Sequence, residues 1–590
     1  VAVDSETSGL YVDDGARISV VSAAWRDVHT NNLKSDAWAF DHGRNAKAGQ
    51  DDLLALIDAD PNRTQFEWNV LMQWLNQQRL IMHNAYFDLQ MFHAGHREYG
   101  FGIDLTDALV HDTMLTQWVL EPTESAALKS TASRIWGANE SASARAIEAQ
   151  LETNGGRYDF LPWAEVSEYA RQDAELTLRL AERQFDLLEG SSEYLSEQVE
   201  TELKVCKALT RMAYRGIGYD ATRSRLEGAK AKAQIAKVSH ELPFKLTEAA
   251  TRAWFINTCR CIPHCMTAGK KASLSECCIR SFQAQGAPWA DEYATLQKLK
   301  RTVSVYYDGY AKATGVDGRL RTDYKQMGTI SMRFSSHRVN LQAIPQDHKL
   351  ERLEGVVLPR ALFRASEGQQ LWEFDLGQAE ARVGAKIAGC TSWLEMFEEG
   401  RDLHSETARQ LFDDDSHKWR QIGKRANFAL IYGVGAHTFR GDVEKMTGVI
   451  LSEREAQEIV TEWRKLFPEF PRINHRTEDF ARRRGYVELI DGRRRYFRPF
   501  EEMHKAFNAV VQGSIAQVIK HIMIDLDECG YDLLLQVHDS IVIELDAGDI
   551  VGNGALITRR MGELATKMCG VPMFAEAKHW HTLADESVSV

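Results

Sequence analysis

No run of about 20 uninterrupted apolar residues occurs in this chain, so no membrane-spanning helix is expected. The first residues lack the basic, apolar and small-residue leader of an exported protein, which points to the cytoplasm. Fixed-period repeats and extended low-complexity stretches are also missing, and this sets aside solenoids and disordered tails. Cysteine is scarce and odd in number: nine thiols scattered over 590 residues suit a reducing compartment better than a disulfide framework. The densest group is Cys259, Cys261, Cys265, Cys277 and Cys278 with His264 nearby. Its spacing is too tight and uneven for the paired ligands of structural zinc, so buried free thiols and no zinc are expected. Positive charge is in deficit, with a net −13 at pH 7. Spread evenly, that would exclude a polyanionic partner, because binding a phosphate backbone relies on lysine and arginine. The charge is not even. Arg482 to Arg484 form one basic run, Arg493, Arg494, Arg495 and Arg498 a second, and Arg319, Arg321, Lys325, Arg333 and Arg338 a third. Taken alone such runs are solvated faces; on an acidic body they also suit a channel that holds a polyanion in one place and repels it elsewhere.

What is present is enough apolar material for several cores, 44% of the chain, and about two to four domains are expected. In residues 1–190, Val1-Ala-Val-Asp4 reads as a short strand ending in carboxylates, 18–25 as its β-branched partner, and alternating strands and helices follow. This predicts one α/β domain. Residues 191–313 turn helical and charged, with a long helix over 196–213 that ends at Arg215-Gly-Ile-Gly218. Residues 314–590 mix short strands, such as 371–376 and 533–537, with amphipathic helices such as 453–467, and predict a large α+β domain.

Asp4-Ser-Glu6 puts two acids on one face of a strand, where one divalent cation can be shared. Asn84-Ala-Tyr-Phe-Asp88 adds a third acid, and Tyr169-Ala-Arg-Gln-Asp173 a fourth, with the tyrosine on the same helical face. Clustered carboxylates of this kind hold the two metal ions that phosphodiester hydrolysis can use. The plain alternative is a set of surface acids on an ordinary α/β domain. Asp112 is either part of the acidic site or a helix cap. The set resembles the DEDD exonucleases with a tyrosine in the last motif. That resemblance implies a ribonuclease H-like domain in which Asp4, Glu6, Asp88 and Asp173 bind metals, Tyr169 orients the water, and Asn84 lies near the single-stranded 3′ end.

The C-terminal half carries a second constellation. In Leu371-Trp-Glu-Phe-Asp375-Leu-Gly-Gln378-Ala-Glu380-Ala-Arg382, a strand delivers Asp375 to its carboxyl end. Arg420, Lys424, Phe428 and Tyr432 recur every four residues, so two cations and two aromatics share one helical face suited to a nucleoside triphosphate. Leu533-Leu-Leu-Gln-Val-His538-Asp539-Ser540 and the apolar run after it read as a hairpin with Asp539 at its tip. Asp375 and Asp539 facing each other could hold two divalent ions for nucleotidyl transfer.

These segments, in this order, resemble the three polymerase motifs of the family A DNA polymerases. Gly328-Thr-Ile-Ser-Met-Arg333-Phe-Ser-Ser336, Asn340-Leu-Gln342, Asp402-Leu-His404, Gly492-Arg-Arg-Arg495 and Asn508-x3-Gln512-Gly513 extend the match over nearly the whole chain. The resemblance implies a right hand, with a helical thumb at 191–313 and palm and fingers over 314–590. It implies Asp375, Asp539 and the Leu376 backbone as metal ligands, with Arg420 and Lys424 on the triphosphate. Gln378, His404, Phe428 and Tyr432 would surround the incoming nucleotide, and Glu380 would act as a steric gate against a 2′-hydroxyl. Arg333, Asn340, Gln342, Arg382, Asn508, Gln512 and His538 would contact primer or template. Phe428, where some members have tyrosine, implies discrimination against dideoxynucleotides.

The implied cofactor is Mg²⁺, two ions per active site, with Mn²⁺ able to substitute. The implied partners are primer–template DNA, a single-stranded 3′ end and dNTPs, with replisome proteins such as a helicase or a single-strand-binding protein; a monomer is expected. No 5′-nuclease domain and no thioredoxin-binding insertion are expected, and this economy points to a bacteriophage enzyme. Several positions depart from the family pattern. Ser540 replaces a glutamate, Gly377 a serine, Met332 a glycine, His504 an arginine and Gln517 an aspartate. Losing the acid at 540 predicts weaker metal affinity or an altered metal preference. Two competing readings are a nuclease whose C-terminal half only binds DNA, and a non-catalytic scaffold.

Overall fold

The structure is a computed structural model. It describes residues 1–8, 16–40, 61–99, 104–137, 161–263, 269–329, 331–345, 357–447, 449–497 and 502–580, with isolated positions at 147–158 and 266–267. Two compact units emerge: Val1–Arg215 with Met523–Leu533, and Gly216–Ile522 with Leu534–Val590.

The first unit is built on a five-stranded sheet of β1 (Ala2–Thr7), β2 (Ile18–Arg26), β3 (Leu33–Ala39), β4 (Leu80–Met82) and β5 (Leu109–Asp112), in the order β3-β2-β1-β4-β5. β1 pairs antiparallel with β2 and parallel with β4, the mixed order of the expected ribonuclease H-like domain. β1 is therefore central, and its acids are carried on a strand fixed on both edges. Helices α1 (Ala85–Tyr99), α2 (Thr113–Leu120), α3 (Leu128–Trp136), α4 (Trp163–Glu189) and α5 (Glu193–Arg215) belong to the unit, with a further helix over Pro61–Asn76. In α4 the buried residues Val166, Ala170, Asp173, Ala174, Thr177 and Ala181 recur at three- and four-residue spacing, so one stripe faces the core and carries Asp173 with it. α5 lies beyond the boundary expected at 190, yet it packs within the first unit. The Tyr214 hydroxyl donates to the Leu89 carbonyl, and Arg211 bridges Asp107 and Asp527. A charged, uninterrupted helix gives no sign of which neighbour will bury its apolar face.

In the second unit a four-stranded sheet holds β6 (Gln369–Leu376), β7 (Asp532–Val537), β8 (Ser540–Asp546) and β9 (Ala575–His579), in the order β7-β8-β6-β9. The two-residue period of β6 sends Trp372, Phe374 and Leu376 into the core and leaves Glu373 and Asp375 on the opposite face. Helices α6 (Ala379–Ala388), α7 (Leu403–Phe412) and α8 (His417–Leu430), and α9 (Ala506–Glu528) as far as Ile522, carry further site residues. α8 stops at Leu430, so Tyr432 lies in the following turn rather than on the helical face expected for it. Gly433, at φ 78°, provides the left-handed residue that ends the helical run. Elsewhere in this unit Cys259, Cys261 and Cys278 are free thiols packed in an aromatic cluster around Phe255 and Phe282. Cys265, His264, the Cys277 side chain and Arg498 lie outside the described residues. No helix among the described residues is long and apolar enough to cross a membrane.

Candidate active sites

In the first unit, β1 places Asp4 opposite Ser22 and Glu6 opposite Val20. Asp173 comes across from α4, and ligand oxygens of Asp4, Glu6 and Asp173 all lie within 4.8 Å of one another. Asp88, in the first turn of α1, stands beside this trio and is turned toward the strand. Its Oδ1 accepts hydrogen bonds from the Ser5 amide at 3.2 Å and the Ser5 hydroxyl at 2.7 Å. Burial drives the acids up: Asp4 to about 6, against the pull of Lys129. Glu6 and Asp88 rise well above the usual carboxylate range, through burial first and then the charge of Asp4. Buried acids that resist ionisation among themselves are a high-energy arrangement that bound cations relieve. Hard oxygen donors of this kind fit a hard divalent ion such as Mg²⁺.

Asp112 is a cap. Its carboxylate accepts from the amides of Met114 (2.8 Å) and Leu115 (3.0 Å) at the start of α2. It also accepts from Asn84 (3.3 Å) and Ala85 (2.7 Å) at the start of α1. One side chain thereby ties two helix starts together and sets the turn that presents Asp88. Asn84, at φ 70°, sits in that turn. Tyr169 stacks on Tyr158 at 5.9 Å, and Tyr158 hydrogen-bonds Glu6.

In the second unit, Asp375 pairs across the sheet with Ser540 on one side and Glu576 on the other. The tight turn at His538, φ 56°, sets Asp539 next to the end of β6, where the Leu376 amide donates to the Asp539 carbonyl at 3.4 Å. Asp375 is pushed up to about 7, first by burial and further by Glu373, Asp539 and Glu576, with Lys578 opposing. Asp539 is also raised by burial, opposed by Arg333. Arg333 bridges the pair of roles: its Nη2 donates to Glu380 at 2.8 Å and to Asp539 at 3.1 Å. The Tyr432 hydroxyl donates to the other Glu380 oxygen at 2.9 Å. Glu380, Ala381, His404, Asn427, Phe428, Ile431 and Tyr432 line a crevice too narrow to admit a water molecule, which brings together residues from three separate stretches of sequence. His404 is held at about 4 by burial, with Lys424 and Arg420 adding to the shift and Asp402 opposing it; it is neutral at pH 7. Asn427 fixes its ring through Nδ1 at 3.2 Å.

Residues 227–583 match the family model described as DNA polymerase family A, and residues 1–183 match the one described as 3′-5′ exonuclease. The chain belongs to the family A DNA polymerases. Relatives of this family A chain include the thermostable DNA polymerase I of Thermus aquaticus, 30% identical over 407 residues, 64% of this chain and 47% of that one. DNA polymerase I of Treponema pallidum is 26% identical over 541 residues, 86% of this chain and 51% of that one. The chain spans about half the length of these relatives. Among solved structures, the polymerase domain of Pol1 from M. smegmatis, in complex with DNA primer-template and dNTP, superposes with a TM-score of 0.74. It is 20% identical and covers 99% of this chain and 96% of that one.

The family A chain assembles most of the residues read from its motifs, with informative differences. Arg420 is engaged with Asp402 at 2.6 Å, while Lys424 stays exposed. Arg382 donates to the carbonyls of Gly377 (3.2 Å) and Pro572 (2.9 Å) and lies over Phe397 and Phe574, a fastening role within the protein. Asn340 caps a short 3₁₀ turn and accepts from Gln342, whose amide reaches Gln536. Gln378 Oε1 and Asn508 Oδ1 are buried without a hydrogen-bond partner; orphaned acceptors of this kind are what a ligand satisfies. Gln512 lies one turn beyond Asn508 on α9. Lys129, Tyr158, Ser5, Asn427 and Glu373 also stand among the site residues, beyond those read from the motifs. Only Ser5 carried a signal, as the spacer between two acids. The departure at 540 has a structural counterpart: the Ser540 hydroxyl donates to Glu373 at 2.8 Å, so a carboxylate from β6 occupies the neighbourhood of the missing glutamate.

Proposed function

We propose that this chain is a template-directed DNA polymerase that extends a primer 3′-hydroxyl with dNTPs and proofreads with its own 3′→5′ exonuclease, in the replication of a bacteriophage genome. The observation that carries the reading is the meeting of Asp375 and Asp539 at the ends of neighbouring strands, with Arg333, Glu380 and Tyr432 joined around them. A separate trio of acids stands in the other unit. The functional division proposed is exonuclease over 1–190, thumb over 191–313, and palm with fingers over 314–590.

Asp375, Asp539 and the Leu376 carbonyl are the groups that would hold Mg²⁺ for synthesis, and Asp4, Glu6, Asp88 and Asp173 those for excision. Two bound divalent ions supply activation of the attacking oxygen and charge neutralisation at the leaving one. The protein's own contribution is placement. Glu380, pinned by Arg333 and Tyr432, forms a fixed wall against a 2′-hydroxyl. Neutral His404 offers a hydrogen bond without adding charge to the nucleotide pocket. Arg420 and Lys424 neutralise the triphosphate from one helical face. Tyr169 orients the water at the nuclease site.

The test is primer extension on a recessed duplex with Mg²⁺, with and without dNTPs, in wild type, Asp539→Ala and Asp4→Ala. Extension lost only in Asp539→Ala and primer shortening lost only in Asp4→Ala is the expected result. Shortening without any extension by the wild type, in Mg²⁺ or Mn²⁺, would make the second unit a DNA-binding platform instead.

A further inference from the structure

Lys129, second residue of α3, lies within the acid cluster of the first unit. Its ammonium pairs with Asp173 and stands 4.6 Å from the centroid of the Tyr169 ring. The pair is sheltered, with side-chain exposures of 22% for Lys129 and 9% for Asp173. Its charge is also felt at Asp4 and Glu6, where it opposes the upward shift of both acids. One ammonium thus contacts Asp173 and the tyrosine expected to orient water, and its charge acts on Asp4 and Glu6.

A lysine here works against the binding of divalent cations. It occupies an oxygen of Asp173 and repels a second positive charge a few ångströms away. A cluster whose task ended at holding metal would be better served by a neutral side chain. A cation at this place becomes useful once a phosphodiester is present, because negative charge then accumulates on the phosphoryl oxygens beside the carboxylates. The flexible four-carbon stem lets the ammonium exchange one oxyanion for another without backbone movement.

We propose that Lys129 is a catalytic residue of the nuclease site, placed beside Asp173 and Tyr169 and contacting a non-bridging oxygen of the 3′-terminal phosphodiester during excision. The inference rests on the exonuclease reading above. It differs from a purely structural ion pair in the sign of one effect. A structural lysine orders Asp173, so its loss loosens metal binding; the lysine described here competes with metal, so its loss tightens it while slowing the reaction.

The experiment uses the full chain as wild type, Lys129→Met and Lys129→Arg. Mn²⁺ binding to the metal-free protein without DNA is followed by electron paramagnetic resonance. Removal of the 3′-terminal nucleotide of a single-stranded oligonucleotide is followed under single-turnover conditions at saturating Mg²⁺. Lys129→Met is expected to bind Mn²⁺ about 3- to 10-fold more tightly and to cleave about 100-fold more slowly. Lys129→Arg is expected to return the Mn²⁺ affinity to that of wild type and recover most of the rate. Mn²⁺ binding that is unchanged or weaker in Lys129→Met, or a cleavage rate within about threefold of wild type at saturating metal, overturns the proposal. Should Lys129→Met lose its native circular dichroism, Lys129→Gln supplies the same comparison with a polar, uncharged side chain. A wild type that removes no nucleotide at all sinks the exonuclease reading itself, an outcome separate from either result with the variants.

Discussion

At the scale of single residues, two departures from the family pattern meet each other. Met332, standing where glycine is common, has φ 60°, the left-handed region that a glycine enters freely and a methionine only at a cost of about 1–3 kcal/mol. Gln517, standing where aspartate is usual, donates through Nε2 to the Met332 sulfur at 3.7 Å. The thioether fills a buried position and accepts an amide that an aspartate could not offer, which is a physical reason for the two changes to occur together. Met332→Gly and Gln517→Asp, singly and combined, are expected to show a coupling of about 0.5–1 kcal/mol in chemical denaturation. Strict additivity would mean that the contact contributes nothing. A second residue-scale outcome concerns Ser540. Restoring the family's glutamate there would bring a carboxylate against Glu373, so Ser540→Glu should destabilise the metal-free protein by about 1–3 kcal/mol, with Glu373→Gln relieving most of it. Melting in EDTA reads both; a Ser540→Glu variant equally unstable with and without Glu373→Gln would show that the two side chains do not meet.

At the scale of elements, Asp112 has the widest reach. Ending β5, it accepts four backbone amides from the starts of α1 and α2, although burial pushes its own carboxyl up. Asp112→Ala should cost about 2–3 kcal/mol through the lost charge-assisted hydrogen bonds. Because α1 presents Asp88, it should also slow excision by about 100-fold through misplacement of that acid. Extension assayed in parallel is expected to hold, and its equal loss would point to general unfolding. The Arg420, Lys424 and Phe428 register was legible from its four-residue spacing, since a helix carries such a pattern wherever it packs. The end of α8 at Leu430 was not legible: Tyr432 leaves the helix to hydrogen-bond Glu380, a partner 52 residues away.

At the scale of the whole molecule, both acid centres store protons. Asp4 is raised to about 6 and Asp375 to about 7 from an ordinary value of 3.8. For an acid raised on folding, the folded state holds the proton more tightly than the unfolded chain does. The contribution to stability is therefore fully present below about pH 4 and is lost as pH rises through about 6 to 7. A divalent metal held by these acids, as proposed, would take the place of those protons at higher pH. The rise in melting temperature on adding Mg²⁺ should accordingly be small at pH 5 and large at pH 8, as read by calorimetry against EDTA controls. A pH-independent rise would mean that these acids are already ionised in the metal-free protein.

The sequence alone determined the identity of the motif carboxylates, the helical register of the cations in α8, the hairpin that presents Asp539 and the order of the α/β and α+β regions. Each of these is a local pattern: a strand's alternation, a helix's period or a turn between apolar runs. Tertiary structure decided which side chains meet across hundreds of positions. It set Lys129 on Asp173, Tyr158 on Glu6, Glu373 on Ser540 and Gln517 on Met332, and it drew α5 into the first unit. Those pairings depend on how separate elements pack and on how much water their packing excludes. A lone lysine or tyrosine has no period to announce it, and its charge or hydroxyl acquires a role only from the acid that folding brings within reach.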